Sequence, residues 1–241
     1  MICITGDIHG DATRFEHKAI KKLKKGDTLI VCGDFGFMWD GSKKEKKLLK
    51  KLGKSRYNIL FVDGCHENYD LLKEYEVTEF GGGKVRRISG RVMHLMRGEV
   101  YEIDNKKIFA FGGGLSEDNE LRLKGETWWK EECPSDDEMK NGLENLAKHN
   151  YKVDYIVTHE PPAVVWEFID MDRKSRSIVG TYLNRIKDKC EFEKWYFGKC
   201  HINKVIPSKF YALFDNVEVP DDKHYKRTNT GEIRPPKTRR K

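Results

Sequence analysis

Residues 1–10 read MICITGDIHG: an apolar run from Met1 to Thr5 stops at Gly6-Asp7-Ile8-His9-Gly10. The same form recurs outward along the chain. Thr28 to Cys32 stops at Gly33-Asp34, Ile59 to Val62 runs into Gly64-Cys65-His66-Glu67-Asn68, and Tyr155 to Thr158 stops at His159. A last polar cluster, Gly198-Lys199-Cys200-His201, lies further on. Short runs rich in Ile and Val, without polar alternation, fit strands buried on both faces, the habit of parallel sheets covered by helices.

The stretches between these runs supply the helices. Phe15 to Lys25 sets Phe15, Ala19, Ile20 and Leu23 on one stripe among lysines, and Glu45 to Leu52 does the same with Leu48, Leu49 and Leu52. Their lysines read as the wet face of outer helices. Ser135 with Glu138 three positions on is a capping box, opening a helix to Lys148 with Met139, Leu143 and Leu146 on its apolar side. Arg91 to Leu95, Glu99 to Ile103 and Lys107 to Phe111 are separated by Arg97-Gly98 and Asp104-Asn105, the spacing of hairpins. Phe210 to Phe214 and Val217 to Val219 read as the final strands. The class is α/β, mixing parallel and antiparallel strands, with one domain over residues 1–219 and a tail over 220–241.

In an open α/β sheet the carboxyl ends of the strands converge on the ligand crevice. The polar clusters that end the runs are therefore expected to meet. Carboxylate and imidazole together suit a first-row divalent cation, and flanking glycines let backbone approach closely.

Taken in order, Asp7-x-His9, Gly33-Asp34, Gly64-Cys65-His66-Glu67, the solitary His159 and Lys199-x-His201 resemble the calcineurin-like metallophosphoesterases. That family's signature is Asp-x-His, Gly-Asp, Gly-Asn-His-(Asp/Glu), a solitary His and Gly-His-x-His. The resemblance spans residues 1 to about 219. It implies a four-layer sandwich of two mixed β-sheets flanked by helices, and two metal ions sharing one carboxylate. Carried over by position, Asp7, His9, Asp34 and His201 ligate the first ion, Asp34 bridges to a second that His159 also binds, and His66 is the general acid. The implied activity is hydrolysis of a phosphate ester by a metal-bound hydroxide, with manganese expected and zinc or iron(II) as alternatives. In such sites two cations about 3.5–4 Å apart clamp an in-line displacement, while an imidazole donates a proton to the leaving oxygen.

Two positions depart from the pattern, and both belong to the second ion. Cys65 stands where the family has Asn, and Lys199 where it has the first His of Gly-His-x-His. Three accounts follow. A Cys65 thiolate replaces the Asn and favours zinc; the Lys199 ammonium substitutes for the second ion in a one-metal enzyme; or the site is lost and the fold serves as a binding scaffold. An ammonium about 4 Å from a dication costs about 8 kcal/mol at an effective dielectric of about 20, which favours substitution over coexistence. Arg14 and Asn68 are candidates to touch a phosphate, with helix capping an equal reading of each. Gly6-Asp7-Ile8-His9-Gly10 is shared with the protein serine/threonine phosphatases, but Phe35-Gly36-Phe37-Met38-Trp39 here replaces their continuation, so their substrate does not carry over. Leu115 to Pro134, with Trp128 and Trp129, is a candidate flap over the site.

Of the 241 residues, 35% are charged, and the net charge is +7. Asp222 to Lys241 holds eight Lys or Arg against Asp222 and Glu232, so the body is nearly neutral and the tail is the basic element. A nuclease tethered by that tail is a further reading, because Lys and Arg bind phosphate polymers without sequence preference. No run approaches the roughly 18 consecutive apolar residues of a membrane span. The six cysteines form no CxxC pair, which fits a reducing, cytoplasmic setting.

Overall fold

The structure, a computed structural model, describes residues 1–116, 121–169 and 177–220. The basic tail, for which nucleic-acid contact was one reading, lies outside the described residues from residue 221 on, as does part of the 115–134 segment. Strands β1 (Ile2–Thr5), β2 (Thr28–Val31) and β3 (Asn58–Phe61) are parallel, as their unbroken apolar runs require. They belong to a sheet completed by β4 (Val77–Phe80), β5 (Gly83–Ser89), β6 (Val92–Leu95) and β13 (Val217–Glu218), in the order β13-β1-β2-β3-β6-β5-β4. The second sheet runs β11-β12-β10-β9-β8-β7, from β7 (Glu99–Ile103), β8 (Lys106–Phe111), β9 (Tyr155–Thr158), β10 (Lys194–Phe197), β11 (Lys204–Ile206) and β12 (Phe210–Ala212).

The alternation of strand side chains builds the layers. Ile2 and Ile4 of β1, Ile30 of β2 and Leu60 of β3 point into a core shared with Ile108, Tyr155, Val157 and Tyr196 of the other sheet. Their neighbours Cys3, Leu29, Val31, Ile59 and Phe61 point the other way, into a core shared with α1 (Lys18–Lys21), α2 (Lys43–Leu52) and α3 (Tyr69–Lys73). Phe109, Ile156, Trp195 and Phe197 face α4 (Asp136–Lys148), α5 (Ala163–Trp166) and α6 (Ile178–Lys189) on the far side. Three apolar interfaces between four layers result, with two mixed sheets in the middle.

Two local expectations are corrected. Phe15 to Lys25 is not one helix: a 3₁₀ turn over Ala12–Glu16 is followed by the short α1, because His17 is extended and its ring caps the second element by accepting from the Ala19 amide. Arg97-Gly98 is not a hairpin turn. There the chain crosses from the first sheet to the second, and the Arg97 side chain is drawn into the interior by the Asp63 carboxylate. The Asp104-Asn105 turn does join the antiparallel β7 and β8, with both residues at positive φ, 54° and 59°. The capping box at Ser135 and Glu138 is present in full.

Candidate metal centre

β1, β2, β3, β9 and β10 end on one side, and their loops deliver Asp7, Asp34, His66, His159 and Lys199. Four of the positive-φ residues other than glycine are His9, Asp34, Lys199 and His201, at 49°, 44°, 62° and 48°. Such backbone is costly for residues with a Cβ and clusters where a surrounding structure enforces it for function. Glycine makes the close approach: a Cβ on Gly64 would stand 2.0 Å from Asp34 Oδ1, and one on Gly198 would stand 2.0 Å from Asp7 Oδ1.

Ligand atoms of Asp7, His9, Asp34 and His201 all lie within 4.8 Å of one another. His201 Nε2 is 3.0 Å from Asp7 Oδ2 and 3.0 Å from His9 Nε2, which is 3.7 Å from Asp34 Oδ2. Two imidazole nitrogens turned to one another beside two buried carboxylates form a donor set that a divalent cation satisfies. His159 fits the same account. Its Nδ1 lies 3.1 Å from the Cys32 carbonyl, while its Nε2 is buried without a hydrogen-bond partner, 3.8 Å from Asp34 Oδ1. One ring nitrogen fixed by a backbone carbonyl and the other left facing a carboxylate is the usual posture of a metal-binding histidine.

Charge distribution follows the geometry. Burial would raise the Asp34 carboxyl, but His159 and His66 hold it well below the ordinary carboxylate range. His201 is raised by its hydrogen bond to Asp7, and His9 is lowered by burial. Asp34 also orients His66, accepting the His66 backbone N–H at Oδ1 (2.7 Å) and lying 3.0 Å from its ring Nδ1 through Oδ2.

Where the resemblance implies a second ion, Lys199 Nζ lies 2.6 Å from Cys65 Sγ, donates to the Leu115 carbonyl at 2.9 Å, and stands 3.9 Å from Glu160 Oε1. Burial pushes the Lys199 ammonium down, but Cys65 and Glu160 more than offset it and its pKa is raised. The two departures from the family pattern therefore occupy each other.

Arg14 and Asn68 are engaged elsewhere. Arg14 donates to the carbonyls of Asp7 and Phe214 and to the Thr5 hydroxyl; Asn68 caps α3 at the Leu71 amide and donates to the Trp39 carbonyl. Both brace the loops that follow β1 and β2 and carry Asp7 and Asp34. Cys200 packs against the outer apolar cluster of the second sheet.

Three residues beside the site were given no role from the sequence. Glu160 follows His159 directly, and nothing in its spacing marks it. Glu67 ends the Gly64-Cys65-His66-Glu67 motif, and its buried carboxylate accepts the Phe35 amide at 2.8 Å, fixing the Asp34 loop. Arg122 binds the Ser116 hydroxyl at 2.6 Å and reaches the Cys65 carbonyl at 3.3 Å, tying the 115–134 segment to the site.

A family model described as calcineurin-like phosphoesterase matches residues 1–194, ending ahead of Lys199 and His201. No curated protein sequence matches the chain. Among solved structures, a phosphopantetheinyl hydrolase from Mycobacterium tuberculosis is 13% identical, covering 88% of this chain and 89% of its own, with a TM-score of 0.45. A protein described as a 5′-nucleotidase from Staphylococcus aureus, in complex with alpha-ketoglutarate, is 11% identical over 90% of this chain and 49% of its own, also with a TM-score of 0.45.

Proposed function

Because the chain belongs to the calcineurin-like phosphoesterase family, we propose that it hydrolyses a phosphate ester with one divalent cation held by Asp7, His9, Asp34 and His201, and with the Lys199 ammonium in place of a second ion. The observation that carries this reading is the four-donor cluster. A bound cation supplies Lewis acidity toward a phosphoryl oxygen and lowers the pKa of water.

The remaining work falls to the chain. Asp7 is held for the cation by the Lys199 backbone N–H, 2.9 Å from its Oδ2. Asp34 fixes the His66 ring at Nδ1, and Nε2 is the atom that passes a proton to the leaving oxygen. The Lys199 ammonium offsets negative charge on the phosphoryl group from a preorganised position. Manganese suits the mixed oxygen and nitrogen donors, with zinc or iron(II) as competitors. The six cysteines are free, and among the described residues no helix is long and apolar enough to cross a membrane.

The test is turnover of p-nitrophenyl phosphate and its bis ester by chelator-stripped protein reloaded with manganese. At least one ester is expected to be cleaved, and Asp34→Asn to lose the activity. Absence of both bound metal and turnover would overturn the proposal in favour of a binding scaffold.

A further inference from the structure

Cys65 and Lys199 come from loops at the ends of different strands, and both atoms of interest are withdrawn from solvent. Cys65 is wholly buried, and the Lys199 side chain is 12% exposed. The 2.6 Å between Nζ and Sγ is shorter than an N–H···S hydrogen bond, which must accommodate a hydrogen and the large radius of sulfur, yet far longer than a direct S–N bond. It is the span of two atoms joined through one small bridging atom. The Leu115 carbonyl holds Nζ from another side, and Glu160, whose Oε2 has no hydrogen-bond partner, stands behind it.

We propose that Cys65 and Lys199 form an oxidisable pair that dioxygen joins through a single oxygen atom, as Cys65 Sγ–O–Nζ Lys199. The Lys199 ammonium first releases a proton, and the resulting amine, the thiol and one dioxygen give the bridge and one water. The S–H bond and one N–H bond break, S–O and O–N bonds form, sulfur and nitrogen each lose two electrons, and dioxygen accepts all four. One of its oxygen atoms stays in the bridge, and the other leaves as water with the two hydrogens. Two equivalents of a dithiol reverse the change, returning amine, thiol and water. Cysteine oxidation of this kind stands beside the sulfenic and sulfenamide forms, and dioxygen is small and apolar enough to reach a buried thiol. The bridge removes the Lys199 ammonium and ties the β3 and β10 loops covalently, so the site has a charged reduced form and an uncharged, locked oxidised form.

Mass spectrometry tests this without reference to hydrolysis. Protein prepared anaerobically with dithiothreitol is compared with the same protein after exposure to air. Air is expected to add one oxygen and remove two hydrogens from the intact mass, and a protease digest to yield a linked pair of peptides containing Cys65 and Lys199. Dithiothreitol should erase both signals, and Lys199→Arg and Cys65→Ser should each abolish them, while Cys133→Ser keeps them. The linked peptides of the unmodified sequence decide the matter even if a variant folds poorly. An unchanged mass with Cys65 open to alkylation in denaturant, a disulfide, or oxygen addition without linkage would each overturn the proposal. A protein that bridges but hydrolyses no ester refutes the proposed function alone.

Discussion

Asp34 touches His66 twice and lies within 4 Å of His9 and His159, so it ties the donor cluster to the imidazole proposed as acid. Asp34→Asn keeps the size of the side chain but removes its charge, and is expected to lower turnover by more than about 100-fold along with metal affinity, read by kinetics and elemental analysis. Lys199→His combined with Cys65→Asn restores the family's own donors, and should raise metal content from one ion per chain to two. Two ions in the unmodified protein would contradict the substitution of Lys199 for a metal. The clustering of Asp7, His9, Asp34 and His201 was legible because acidic and imidazole groups at the ends of apolar runs stand out, and the resemblance supplied their order. Arg14 and Asn68 were less so: side chains next to a motif were candidates for ligand contact, and only folding reveals that Phe214 and Trp39 offer carbonyls to take them. Glu160 was illegible, since its role comes from a lysine far along the chain.

At the scale of elements, strands buried on both faces were the clearest signal, and those that set Asp7, Asp34 and His159 appear where their apolar runs ended. The Ser135 capping box was equally clear. Ser135→Ala should cost about 1 kcal/mol, measured as a lower urea midpoint with an unchanged slope. The hairpin expected at Arg97-Gly98 failed because turn residues do not say whether the next strand stays in the same sheet. β10 (Lys194–Phe197, KWYF) and α6 (Ile178–Lys189) went unread: the strand opens on Lys194 after a charged stretch, and the helix mixes Gly180, Tyr182 and Asn184 into its apolar stripe. That omission mattered for the site, since β10 is the strand that presents Lys199 and His201.

At the scale of the whole molecule, a buried polar network anchors the crossover from the first sheet to the second. Asp63, at the end of β3, accepts from Arg97 Nε at 2.9 Å and from the Tyr69 hydroxyl at 2.9 Å, and lies 2.9 Å from His94 Nε2. Burial would raise the Asp63 carboxyl, but Arg97 and His94 hold it well below the ordinary range. Its stabilising contribution is therefore complete above the unfolded value of about 3.9 and drains away as pH falls through that value toward the folded one. Asp63→Asn should be less stable than the unmodified chain at pH 7 by about 3–5 kcal/mol, because Arg97 loses its only buried carboxylate and keeps only the half-exposed Glu138 as a charged partner. In urea titrations that deficit should narrow as acid is added, and a deficit independent of pH would refute the assignment. The two-sheet architecture was legible only through the family resemblance, since periodicity marks strands without saying which sheet receives them. One feature of the topology reaches into biosynthesis. Asp7, His9 and Asp34 leave the ribosome well before His201 and β13, which pairs against β1. Until His201 is made, a nascent chain carries three of the four clustered donors and an open β1 edge, so any product that terminates before His201 lacks a complete cluster.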